Sequence, residues 1–456
     1  MTRYRRQAGR RRLASDALTL AGWAVLVAPI GLWLSAGGWE IMASSGAEAT
    51  RGVGILAGLL ATSSMVVMLW LAARVPLIDR TIGHDRALAL HSDLGQMTFL
   101  GLLLHGLFVV SGYALGDGLS WAADFGTLWG TADFALAVAS SGLLAAVALS
   151  SVALARRRLP HEAWLAVHWL SYAAVLLALP HQFSLGGLFL EGAAFWFWAV
   201  LWAATVFVLL TFRVFGPLAT SLEHRLVVSR VVQETADSVT IELTGRHLER
   251  LGARGGQFFN WRFLTRHTWW HQHPFSLSAA PSGDTLRITV RELGAGTRRL
   301  ARGVRAGTRV LIEGPYGRFS DAARTAPAVV MVGFGIGVAP LRALLETTDF
   351  VPDDATVILR ARGIEDLPLL SEVAALCQAR GAHLMVLTGR RGVRPDGTTS
   401  WLPQSHAELT LGDLVGRLER ADVFVCGPNA AIEGVLTDAR AAGAGDEQLH
   451  RERFAW

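Results

Sequence analysis

The sequence predicts a membrane-embedded all-α bundle of six helices followed by two soluble domains, an antiparallel β-barrel and an α/β domain built on a parallel sheet. Three observations carry this. Of the 456 residues 52% are hydrophobic and only 17% are charged, and a mean hydropathy of +0.36 is too apolar for one large soluble protein. Apolar runs long enough to cross a bilayer fill the first half of the chain and stop after Arg213. Beyond them, short alternating segments give way near Ala326 to apolar strands separated by helical stretches.

The runs with few or no charges are Ala17–Trp39, Gly52–Ala73, Leu94–Gly116, Phe134–Ala155, Ala163–Leu190 and Gly192–Phe212. Each reaches the roughly 20 residues a spanning helix needs. The third extends back to about Ala87 if Asp93 is tolerated. The first follows RYRRQAGRRR but is longer than the apolar region of a signal peptide and lacks a small-residue cleavage site, so it reads as a retained helix.

Arginine placement sets the orientation. The N-terminal arm, Arg74, Arg80, Arg86, Arg156–Arg158 and Arg213 fall on one side, whereas Glu40, Glu48, Asp117, Asp124, Asp133 and Glu191 fall on the other with Arg51 as the lone base. The positive-inside rule then gives six spans of the cell (plasma) membrane with both termini cytoplasmic. The chain has no lysine, so arginine supplies all 42 basic residues and the net charge of +5. That excess at the inner face of a lipid bilayer accounts for the basic character without a nucleic-acid partner. Both cysteines, Cys377 and Cys426, follow the last helix, where a cytoplasmic setting argues against a disulfide.

In the soluble half, RLVVSRVVQ (225–233), SVTIELTG (238–245) and DTLRITVREL (284–293) read as antiparallel strands, and AVVMVG, ATVILRA, AHLMVLTG and DVFVCG as strands of a parallel sheet. The expected division is 1–216 for the membrane helices, 217–325 for the β domain and 326–456 for the α/β domain.

The third and fifth apolar runs carry matched histidines. His91 and His105 are fourteen positions apart, and His168 and His181 thirteen. At 1.5 Å per residue each pair is separated by about 20 Å along its helix. The two helices run in the same direction, so His91 can face His168 and His105 can face His181. Two stacked b-type haems, each gripped from both sides by imidazole, fit that arrangement. Regular helix turns His105 within about 40° of the face of His91 but leaves His181 about 140° from that of His168; Pro180 removes a backbone hydrogen bond just there. Interhelical hydrogen bonding or a proton path is the other use of such residues. His84 and His161 repeat the offset but sit beside Asp85 and Glu162 at the membrane edge, and read as surface residues near haem propionates.

HPFSLSAAP (273–281), VRELGAGTRRL (290–300) and EGPYG (313–317) follow in the β domain. A flavin needs hydrogen bonds along its ring edge and a cationic, glycine-lined surface for its pyrophosphate; Ser276, Ser278, Arg291, Gly296 and Thr297 offer these groups. Taken singly each fragment is also compatible with a turn. The α/β domain opens on AVVMVGFGIGVAPLRALL, a strand leading through Gly333, Gly335 and Gly337 into a helix bearing Pro340, where phosphate would sit on backbone N–H groups. The spacing G-x-G-x-G-x-x-P is not the Rossmann fingerprint. DVFVCGPNAAI places Cys426, Gly427 and Pro428 at a strand end, where an open α/β sheet binds ligands, or where a buried cysteine simply precedes a turn. Arg360 and Arg362 in ATVILRARG, with Arg390 and Arg391 in TGRR, match the fork geometry of a 2′-phosphate and favour NADPH over NADH, unless they form a solvated basic edge.

The order of histidine pairs, HPFSLS, GFGIGVAP, CGP and a terminal aromatic resembles the ferric reductase and NADPH oxidase superfamily, from about residue 15 to the last residue. The resemblance implies a six-helix haem domain fused to a ferredoxin-NADP-reductase-like module. It assigns His273, Pro274, Phe275 and Ser276 to the FAD motif, Arg291 and Thr297 to the flavin phosphate region, and the glycine turn with Cys426 to the nicotinamide site. It also implies a terminal aromatic over the flavin, Phe454 with Trp456 as the alternative. Ser276 stands where the oxidases often have threonine, and the chain runs past Phe454 to Trp456. The expected activity is transfer of electrons from NADPH through FAD and two haems to an external acceptor, with no obligate protein partner. Short acidic outer loops favour O2 narrowly over a ferric chelate. The rival from another class is a transporter with a nucleotide-sensing domain, its histidines relaying protons.

Overall fold

The computed structural model describes every residue except 1, 132, 153–158, 160, 185–186, 188–190, 267, 417 and 455–456, and the side chains at 2–8 and 161 also lie outside the description. Arg156–Arg158, Trp456 and the side chain of His161 therefore fall outside the described residues. Among the described residues six helices are long and apolar enough to cross a membrane: Gly9–Ser44, Gly46–Ala72, His84–Asp117, Phe134–Ser151, Glu162–Ser184 and Gly192–His224. Several outlast their apolar runs, because a helix continues past the hydrocarbon wherever its backbone bonds remain satisfied.

The described chain forms two compact units. One comprises residues 14–78 and 85–213; the other comprises the arm up to Leu13, Asp79–His84 and the chain from Val214 onward.

In the membrane unit, the second and third spans pack antiparallel along a seam of small residues. A Cβ on Gly54 would lie 2.7 Å from the Val109 nitrogen, and one on Gly112 2.7 Å from the Arg51 nitrogen, so glycine permits the two backbones to touch. Trp33, Leu59, Met65, Leu69, Val175, Trp198 and Trp202 bring the first, second, fifth and sixth spans into one buried cluster. Leu100, Leu103, Leu107, Trp196 and Phe207 remain exposed, as a lipid-facing surface requires.

In the other unit, strands β1 (Val227–Thr235), β2 (Ser238–Thr244), β3 (Phe258–Phe263), β4 (His273–Ser276), β5 (Thr285–Arg291) and β6 (Val310–Tyr316) form two three-stranded antiparallel sheets. Their orders are β1-β2-β5 and β4-β3-β6. The expected barrel is not closed. The links between the sheets are short, the bridges Val227 with Arg309 and Leu277 with Ile288 and a few backbone bonds such as Val310 N–H to the Leu226 carbonyl, and Ile241, Ile288, Phe259, Trp261 and Leu277 fill a shared core. Side-chain packing rather than a continuous ladder holds the sheets together.

Strands β7 (Ala328–Phe334), β8 (Ala355–Ala361), β9 (His383–Thr388), β12 (Ala421–Gly427) and β13 (Leu449–Arg453) form a five-stranded sheet, ordered β13-β12-β7-β8-β9, parallel throughout. Between β9 and β12, Arg391–Val393 (β10) and Thr399–Pro403 (β11) make a separate hairpin. Helices Val338–Thr347, Leu370–Arg380 and Asn429–Ala441 supply the crossovers.

Candidate functional site

The third and fifth spans bring the four membrane histidines together in two pairs. The ring centroids of His91 and His168 are 6.1 Å apart with planes at 59°, and those of His105 and His181 are 6.4 Å apart at 38°. Metal–imidazole bonds of about 2.0–2.1 Å, with roughly 1.1 Å more from each nitrogen to its ring centre, place the centroids of two axial imidazoles about 6.3 Å apart. Both pairs therefore fit a haem iron held from two sides. The fifth span continues through Pro180 to Ser184, and His181 meets His105 despite its thirteen-residue spacing.

The third-span imidazoles are fixed by the second span. His91 Nδ1 lies 3.0 Å from the Met68 carbonyl oxygen and His105 Nδ1 2.9 Å from that of Gly54. A carbonyl only accepts, so both Nδ1 atoms carry the proton and both Nε2 atoms keep a lone pair for a metal. The fifth-span rings are held otherwise: His168 stacks on Trp164 at 4.8 Å, and Nδ1 of His168 and of His181 is buried without a well-formed hydrogen bond.

In the other unit, Phe275, Ser276, Arg291, Pro340 and Phe454 line one pocket with Thr289, Val290, Leu293, Ile336 and Ala339. Five residues chosen from four separated stretches of sequence thus meet. His273 is buried and its ring stacks on Phe275 at 5.6 Å and 10°; Pro274 between them is exposed. Gly296 lies against the His273 ring, where a Cβ would come within 3.5 Å. Ser278 is wholly buried, and its hydroxyl lacks a hydrogen-bond partner. Arg291 donates from Nε to Asp237 (2.7 Å) and from Nη2 to Asp366 (3.4 Å). Thr297 is 8% exposed and its hydroxyl serves the local turn. It accepts from the Leu293 and Gly294 N–H groups, each at 3.0 Å, and so closes the start of helix Ala295–Gly303.

The turn from Gly333 to Gly337 ends β7 and opens helix Val338–Thr347. Gly335 has φ +55°, and a Cβ on Gly337 would lie 2.3 Å from the Cys426 carbonyl oxygen. The glycine turn and the end of β12 are therefore in direct backbone contact. The Cys426 side chain is wholly buried in the cluster on which Phe454 packs, and burial, aided by Glu452, holds its thiol well above the usual range. After it, Gly427 ends β12 and Pro428 caps helix Asn429–Ala441.

Arg360 is a correction. It is 4% exposed, and its guanidinium donates to the carbonyls of Trp401, Ala361, Leu387 and Gly389. Its charge is used to join β8, β9 and β11 instead of facing solvent. Arg362 and Arg390 are exposed, whereas Arg391, also exposed, bonds the Ser400 and Ala430 carbonyls.

His84 is also not a free surface group. It packs on Tyr316, rings 5.7 Å apart at 19°, and on Phe258. Beside it, buried Asp79 accepts from the Gly317 N–H (3.1 Å), and Arg318 donates to the Thr81 carbonyl (3.3 Å). Asp79, Asp237 and Asp366 escaped the sequence reading because an isolated carboxylate carries no periodic signal.

Residues 57–179 match the family described as ferric reductase like transmembrane component, and residues 226–320 match a family of FAD-binding domains. Together they give the chain the architecture of the ferric reductase and NADPH oxidase superfamily, and with six spanning helices it is an integral membrane protein. The chain is similar to a flavohemoprotein of Vibrio cholerae, 26% identical over 188 residues, which are 40% of this chain and 45% of that protein. It is also similar to the ferredoxin reductase component of the 3-ketosteroid-9-alpha-monooxygenase of Mycolicibacterium smegmatis, 26% identical over 237 residues, or 50% of this chain and 65% of that one. Each match thus spans less than two thirds of the relative. Among solved structures, the flavohem-like FAD/NAD binding domain of a nitric oxide dioxygenase from Vibrio cholerae is 23% identical with a TM-score of 0.40, covering 51% of this chain and 99% of that one.

Proposed function

We propose that this protein is a membrane-spanning oxidoreductase that draws electrons from NADPH through FAD and two b-type haems to an acceptor across the membrane, O2 in preference to a ferric chelate. The observation that supports it most directly is the pair of imidazole separations, 6.1 and 6.4 Å, each of which would let two histidines hold one iron. In this reading 1–216 hold the haems, 217–325 the FAD and 326–456 the nucleotide, with both termini cytoplasmic. When bound, FAD accepts a hydride and the haem irons carry single electrons.

The chain's own residues position and shield. The Met68 and Gly54 carbonyls keep the Nδ1 protons in place and aim Nε2 of His91 and His105 between the spans. Phe275 and Phe454 give the soluble pocket apolar walls that exclude water, and Ser276 and Arg291 supply polar and cationic contacts at its edge. Backbone N–H groups after Gly335 receive phosphate, and Arg362 and Arg390 offer forks for a 2′-phosphate. At the other end, Arg51 is ion-paired to Glu48 and lies 5.1 Å from the Tyr113 ring centre. With that cation neutralised, the outer end of the bundle has little attraction for an anionic chelate, which favours O2.

The test is stoichiometry followed by product. The purified protein should carry two low-spin haems and one FAD per chain, and NADPH should drive superoxide formation in excess of Fe(II) captured by an impermeant chelator. A colourless protein would favour the transporter reading; Fe(II) in excess would favour the ferric reductase.

A further inference from the structure

Trp269 and Trp270 stand 56% and 48% exposed in the turn joining β3 to β4, with Leu264 41% exposed in the same turn. This apolar tip is held out by design of the turn rather than left loose. The buried Thr268 donates from Oγ1 to the Phe263 carbonyl (3.0 Å) and shares a hydrogen bond with the Thr265 hydroxyl (2.7 Å). The His271 N–H reaches the Thr268 carbonyl and the Leu264 N–H the Arg309 carbonyl, at 3.0 and 2.9 Å. Arg266 in the turn and Arg309 beside Leu264 are both exposed. From Leu264 to Phe275 the sequence LTRHTWWHQHPF has no acidic residue.

We propose that this turn seats in the headgroup region of the bilayer that the six spans cross, with the two indoles at the interface and Arg266 and Arg309 against anionic lipid phosphates. Indole is amphipathic and prefers that layer to water or hydrocarbon, and arginine beside an anionic leaflet adds electrostatic attraction. The bilayer is the occupant because it is tethered within reach: β1 begins at Val227, just past the sixth helix at His224, and β2, β3 and the turn belong to the same unit. Seating would also bear on the pocket. From Trp270 the rings run through His271 (5.1 Å) and His273 (6.1 Å) to Phe275 (5.6 Å), which lines it. A lipid-held turn therefore steadies the strand that forms that wall.

The full chain in nanodiscs tests this without reference to electron transfer. Trp269→Cys, labelled with an environment-sensitive nitrobenzoxadiazole dye, reports the turn, and Leu264→Cys gives a second position should the first fail to fold. Native Cys377 and Cys426 are 2% and 0% exposed and should not compete for label. Nitroxide on the lipid headgroup should quench dye at 269 or 264, nitroxide at the acyl-chain end should quench it less, and dye at Asp396→Cys, on the exposed β10–β11 turn, should be unaffected. Removing anionic lipid, or combining Arg266→Ala with Arg309→Ala, should reduce the quenching. Absence of quenching in every lipid overturns the proposal, as does a dye that is shielded but unquenched, which would mean that protein such as a second copy covers the turn. Quenching indifferent to lipid charge overturns the role given to the arginines.

Discussion

Gly58 faces the imidazole of His105 so closely that a Cβ at position 58 would lie 2.5 Å from Nδ1. The ring reaches the Gly54 carbonyl only because nothing occupies that space. Gly58→Val should push His105 out of line and empty the site it shares with His181. Haem content, measured as the pyridine haemochromogen, should fall from two to one per chain while FAD is retained. His105→Ala should give the same loss without steric disturbance, and two haems in both variants would refute the pairing.

The nucleotide arginines should separate into two kinds. Arg362→Ala with Arg390→Ala should raise KM for NADPH by about tenfold, roughly 1.4 kcal/mol of lost interaction, and leave NADH unchanged. Arg360→Ala should instead destabilise the fold by roughly 2–4 kcal/mol, because it strips donors from buried carbonyls. Denaturant unfolding beside steady-state kinetics tells the two apart; equal efficiency with both nucleotides in the unaltered protein would remove the 2′-phosphate site.

Phe454 lies in the pocket wall with Phe275 and Pro340, where a ring over the flavin must leave before nicotinamide can occupy the same face. Phe454→Ser should tighten nicotinamide binding and shift the flavin absorbance band, both read by titration with a non-reducing nucleotide analogue. A chain ending before Trp456 tests the other candidate. If neither variant changes affinity or spectrum, the terminus is not a lid.

His450 supplies a pH dependence. Burial lowers its pKa, and hydrogen bonding to Asp422 at 2.9 Å offsets only part of that. The folded chain thus refuses a proton that the unfolded chain accepts below about pH 6.5. Stability should therefore fall as pH drops from about 6.5 towards the lower folded pKa, by at most about 1.4 kcal/mol per unit, and be fully present above that window. The Tm of the unit that carries the β-sheets should be lower at pH 5.5 than at pH 7.5, and His450→Asn should flatten this difference. An unchanged slope would show that other groups set it.

The sequence made legible whatever is periodic or locally punctuated. Six apolar runs, the alternation in β1, β2 and β5, and the apolar strands β7, β8, β9 and β12 all follow from period and length. FFNWRF in β3 was passed over because it is apolar at neighbouring positions, its residues buried on both faces, and β13 because LHRER is too charged to read as a strand until the partner β12 is known. Arg360 misled for the converse reason. A guanidinium at a strand end reads as a surface charge, and only the fold places four carbonyls around it. The glycine turn was legible as a motif, but its contact with Cys426 depends on strand order.

Met68 and Gly54 are fourteen residues apart on the second span, as are His91 and His105 on the third, and each carbonyl meets its imidazole across the antiparallel seam. The two helices act as rulers cut to one gauge. A single residue inserted between Gly54 and Met68 would rotate one end of its ruler by about 100° and advance it by 1.5 Å, so one imidazole or the other would lose its anchor. The spacing of the two imidazole pairs is then written twice in the chain, once in the histidines and once in the helix whose carbonyls anchor them. Length changes in that helix should be tolerated only in whole turns, if at all, even where every substitution within it is harmless.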